Sequence, residues 1–153
     1  MPSVLDPSTL GAPRLREAFA YWDGKRAGRV MPCRGDIDPV EMPRLLPYVM
    51  LIDVLAAPVD FRYRLIGTEV RAIAARDYTG RRFSEVVGKG RGSVVWDGCE
   101  QVVATRAPYT GSPPYVGPER ELRRCENLLL PLSENGSDVS MIFKIISFER
   151  GRG

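Results

Sequence analysis

The chain contains no histidine among its 153 residues. That absence removes the commonest general base, the commonest zinc ligand and the usual axial ligand of a sensor haem. Its three cysteines, Cys33, Cys99 and Cys125, are odd in number, widely spaced and form no C-x-x-C pair. Neither a disulfide framework nor a zinc site is indicated, and free thiols in a reducing compartment are the simpler reading. Lysine occurs only at Lys25, Lys89 and Lys144, so nearly all the positive charge is arginine, and the net charge is only +3. Nucleic acid is therefore allowed as a partner without being demanded. No apolar run approaches the roughly 20 residues of a membrane-spanning helix, and the opening MPSVLDPSTL lacks the basic and apolar regions of a secretory signal. A cytoplasmic protein without a membrane partner is expected.

What is present is the composition of a folded domain: 44% apolar and 27% charged residues, in a length suited to one core. Residues 1–12 read as a mobile tail, 13–150 as one domain and 151–153 as a short tail. From Pro13, apolar residues at Leu15, Ala18, Phe19 and Trp22 recur at helical spacing. They predict an amphipathic helix over 13–28 that stops at Gly28. The proline-rich stretch after it cannot be one regular element. Within it Asp38, Pro39 and Glu41 fit an N-cap, a first-turn proline and the reciprocal carboxylate of a capping box.

Strand signals follow over 49–55 and 61–68 with a hairpin-length link. In the second run Phe61, Tyr63 and Leu65 alternate with Arg62 and Arg64, which predicts one buried and one charged face. The following segment, broken by Gly80, suits short helices. Val95, Trp96, Cys99, Val102 and Val103 form the stripe of a second long helix. The proline-rich 106–118 stretch allows only an irregular or edge strand. Two further strand-like runs flank Asn135-Gly136, a short-hairpin signal. The order is α+β, with an antiparallel sheet and the middle helices on one face.

The strings YWDGKR, DIDP, FRYRLIGT and TGR, spread over most of the chain, resemble a bacterial PAS-domain subfamily known chiefly as stand-alone alphaproteobacterial proteins. The resemblance implies a five-stranded antiparallel sheet in the order 2-1-5-4-3, a sensory or protein-interaction role, and room for a small molecule between sheet and helices. It carries over no cofactor: haem lacks a histidine, and no cysteine stands in a setting like the flavin-linked motif of light sensors. None is therefore expected beyond an unidentified small ligand.

Tyr63, Leu65, Trp96, Cys99, Met141 and Phe143 are the candidates for lining a ligand pocket; plain core packing explains the same residues. Leu15, Phe19 and Trp22 are the candidates for a homodimer or partner surface, or for covering the sheet. Catalytic and metal sites are not expected. Asp36, Asp38 and Glu41 lack further ligands at suitable spacing, Cys99 lacks a base, and the glycines at 88, 90 and 92 lack a P-loop ending. Arg62 and Arg64 with Glu121, Arg123 and Arg124 read as a solvated face. The cluster Arg71, Arg76, Arg81 and Arg82 has acidic neighbours, so nucleic acid is disfavoured. The expectation is a non-catalytic sensory module acting on a protein partner in trans; the alternative is a nucleic-acid-associated regulator using its arginine surface.

Overall fold

The helical stripe at the start of the chain becomes α1, Pro13–Arg26, in a computed structural model that describes residues 5–74, 76–112 and 122–150. Ala27 ends it in the left-handed conformation, followed by Gly28 at φ +81°. This places the stop where glycine was expected, with a left-handed residue one position earlier. Residues 5–12, expected as part of a tail, instead form a 3-10 turn at Pro7–Thr9 capped by Asp6, and they bury Leu10. Residues 1–4 and 151–153 lie outside the described residues.

The connector holds 3-10 turns at Arg34–Asp36, Pro39–Glu41 and Leu46–Tyr48. Asp38 caps the second by accepting from the Val40 amide at 3.0 Å. The reciprocal half of the capping box is not made. The Asp38 amide donates to the Tyr21 hydroxyl, and Glu41 turns instead to Tyr21 and Lys25 of α1. A longer-range partner has replaced the local one, which ties the connector to the helix.

Strands β1, Val49–Ala56, and β2, Val59–Ile66, form the first hairpin. Helix α2, Thr68–Ala74, then packs beside the Leu46–Tyr48 turn. A Cβ on Gly67 would overlap the carbonyl oxygens of Leu46 and Pro47, while its amide donates to Val49 at 2.7 Å. Only glycine lets the backbone pass this close. Helix α3, Val94–Thr105, is capped by the Ser93 hydroxyl on the Trp96 amide. The edge strand β3, Tyr109–Gly111, precedes β4, Leu122–Leu132, and β5, Met141–Arg150.

All pairings are antiparallel and the sheet order is β2-β1-β5-β4-β3, the order that the resemblance implies. The β4–β5 link spans 133–140 rather than a two-residue turn. Gly136 alone takes positive φ there, and the Asn135 side chain accepts from the amides of Ser137 and Asp138. Asparagine acts as an Asx-turn acceptor in this loop.

Both sheet faces are covered. One meets α3 and the 3-10 turn at Phe83–Glu85; the other meets α1. Leu15, Ala18, Phe19 and Trp22 are all buried, and the Trp22 indole donates to the Pro131 carbonyl at 2.9 Å. Burial of each large apolar side chain contributes about 1.5–3 kcal/mol, so the stripe fixes α1 to its own sheet.

Candidate functional site

Register decides which predicted pocket residues can meet. Tyr63 pairs with Ile52, while Leu65 pairs with Leu51, because the register shifts between Leu51 and Ile52 and leaves Arg64 as the extra residue. Neighbouring strand residues point to opposite faces, and the bulge reverses the simple alternation. Leu65 therefore shares a face with Leu51 and Phe143, and Met141 with Asp53 on that same face. Of the six pocket candidates, Tyr63, Trp96 and Cys99 lie on the α3 side. Leu65, Met141 and Phe143 lie on the α1 side, so the sheet divides the set.

The α3-side members are packed tightly. Phe61 meets Trp96 edge-on with centroids 5.0 Å apart and meets Phe83 at 5.5 Å. Tyr63 lies 4.5 Å from Phe83 and also stacks against Tyr78. These rings fill the β2 end of the interlayer space as ordinary core. Burial pushes the Tyr63 phenol up and the Cys99 thiol up to about 12, so Cys99 is held as a neutral thiol.

The open space lies towards β3. A cavity of about 190 Å³ is bounded by Val94, Val95 and Gly98 of α3, Tyr109 and Gly111 of β3, and Ser112, and floored by Asn127, Leu129 and Lys144 of the sheet. Gly98 permits this approach of helix to strand, since a Cβ there would stand 3.2 Å from the Tyr109 ring. Val94, 60% exposed, stands at its mouth.

Lys144 is the notable floor residue. It sits in the run Ile142-Phe143-Lys144-Ile145-Ile146 and is 3% exposed. Among the described residues no carboxylate lies within 4.0 Å of its ammonium. Burial lowers its affinity for a proton, and the charge of Lys89 acts in the same direction; Lys89 is itself lowered by burial. Sequence reasoning did not single out Lys144, although one charge inside an apolar strand is a legible signal.

On the opposite face a wider groove of about 580 Å³ runs along the start of α1, with Arg14, Glu126, Ser147 and Phe148 among its walls. Its polar groups are largely engaged. The Glu126 carboxylate accepts from the Gly11 and Ala12 amides at 3.2 and 3.0 Å, occupying the N-terminus of a helix whose Ala12 cap offers no side chain. The Arg14 guanidinium lies over the Tyr48 ring.

The partner candidates Leu15, Phe19 and Trp22 are turned into the sheet, so a second copy cannot use them while α1 stays docked. Arg62 and Arg64 both pair with the buried Asp53, at 3.0 and 3.2 Å, as a salt-bridged face requires. Glu121 and the side chains of Arg123 and Arg124 lie outside the described residues. Arg71, Arg76, Arg81 and Arg82 are exposed. No group of three or more metal-ligating side chains occurs among the described residues, and no helix among them is long and apolar enough to cross a membrane.

The architecture is a five-stranded antiparallel sheet with a helix-roofed cavity towards its β3 edge. Residues 11–147 match the family model of a PAS domain, and the chain belongs to the PAS domain family. The solved structure of a sensory box sensor histidine kinase from Vibrio cholerae is similar at TM-score 0.53. The two share 8% sequence identity over 74% of this chain and 90% of that one, a likeness of fold alone. No curated protein gives a significant match.

Proposed function

We propose that this PAS domain is a non-catalytic cytoplasmic sensor that takes a small molecule between α3 and the sheet and passes the signal to a protein partner. The observation that carries this reading is the cavity over Lys144, open beside Val94 and lined by both helix and sheet. An ordered aromatic core adjoins it. Such a site couples occupancy to the placement of α3, an element held to the sheet on one side and free on the other. Any homodimer would use the outer surface of α1 or another face, since the apolar stripe of α1 is already buried.

Native mass spectrometry of the freshly purified protein tests the reading, paired with partner capture from lysate before and after ligand stripping. A retained adduct of small mass and a capture pattern that changes when it is removed are expected. A bare protein whose partner binding is indifferent to stripping and to small-molecule extracts would defeat the sensor reading.

A further inference from the structure

Lys144 is a charged residue in a buried stretch of strand with no ion-pair partner among the described residues, where buried charges are usually paired. Its strand neighbours on both sides are apolar and fully or nearly fully buried, so a hydrophobic residue would serve the fold better. Places where a sequence departs from what stability favours are characteristically functional. The departure here coincides with a cavity, and Lys144 forms part of its floor.

We propose that the cavity takes a small organic carboxylate and that the Lys144 ammonium is its counter-ion; this rests on the reading of the cavity as a ligand site. Three observations converge on that chemistry. Lys144 is 3% exposed, lines the cavity and has no ion-pair partner among the described residues. Lys89 adds a second positive charge to the surroundings of Lys144 and no compensating one. Among the described residues the other groups whose charges bear on Lys144 are the thiols of Cys99 and Cys125, which burial keeps protonated. An anion entering this space supplies the missing charge and gains from the low local dielectric.

The remaining walls set size and shape. Val94, Val95 and Leu129 offer an apolar lining, with Asn127 and Tyr109 as polar neighbours. A cavity of about 190 Å³ is slightly larger than one that holds benzene, roughly 150 Å³. An aliphatic tail against the valines and a carboxylate on Lys144 fit it at about four to six carbons.

The test uses the full chain labelled at lysine Cε, where only Lys25, Lys89 and Lys144 report and the Lys144 signal is assigned as the one missing from K144M. Sodium butyrate and sodium hexanoate are titrated against butyramide, hexanamide and sodium chloride at matched ionic strength. Saturable movement of the Lys144 signal with the carboxylates is expected, with affinity at least roughly tenfold weaker for the amides and for K144M. Equal binding of acid and amide to the wild-type protein would overturn the carboxylate inference and leave the ligand-site reading standing. Silence from both acid and amide would remove the two together.

Discussion

Replacing Lys144 by methionine keeps an unbranched stem of similar reach and removes only the charge, so it isolates what the buried ammonium costs. An ion taken out of water without a partner carries an effective penalty of several kcal/mol even after relaxation, while a methionine in a well-packed strand loses little. Allowing for water at the cavity mouth, the unliganded variant is expected to be more stable by about 2 kcal/mol. For a chain of this size that corresponds to a rise in Tm of roughly 4–8 °C. The gain must also depend on pH in one direction. The folded protein holds the Lys144 proton less tightly than the free value of 10.5, so the unfolded chain binds more protons in the interval below pH 10.5. The cost in the wild type therefore fades as pH rises through that interval, and the two proteins converge. Cys99 acts with the opposite sign. Its thiol is raised from 9.0 to about 12, so its contribution is complete below pH 9 and is lost as pH climbs towards 12; it is common to both proteins and largely leaves the difference. Urea melts of both at pH 7 and pH 10 measure the effect. A K144M protein that is less stable than wild type at pH 7 would show the ammonium to be well paired and would refute the reasoning.

Gly67→Ala drives a methyl group into the carbonyls of Leu46 and Pro47 and is expected to cost about 1–3 kcal/mol, read as a lower urea midpoint with an unchanged slope. Glu126→Gln removes the charged acceptor from the first amides of α1. A loss of about 1 kcal/mol is expected, with faster hydrogen exchange confined to residues 10–18; uniform acceleration across the sheet would contradict a local clasp. Among the thiols, the half-exposed Cys33 should react with a disulfide reagent in the native protein, while buried Cys99 and Cys125 should react only at the rate of unfolding. Two or more fast thiols would show the α3 layer to be open.

Where local chemistry decides, the sequence was a good guide. The apolar spacing of Leu15, Ala18, Phe19 and Trp22 marks both α1 and its buried face, and Asp38 caps the turn it precedes. The strand order came through the family strings, since no local rule brings β1 beside β5. Failures arose where one residue changes register or a distant group competes. Alternation puts Leu65 beside Tyr63, and the extra residue Arg64 undoes this. Glu41 suits a capping box, but Tyr21 and Lys25 claim its carboxylate. The aromatic residues at the β2 end pack against one another as ordinary core. The cavity instead follows from smallness at Gly98 and Gly111 and from a charge at Lys144, a combination that strand pairing and the docking of α3 on the sheet assemble together.

Glu126 and Asn127 are consecutive residues of β4, yet the first grips the start of α1 and the second forms part of the cavity floor. A single peptide unit thus separates two surfaces that face away from each other. Whatever adjustment this strand makes to an occupant beneath α3 arrives at the opposite helix without crossing any intervening layer, which makes the sheet a diaphragm one backbone thick.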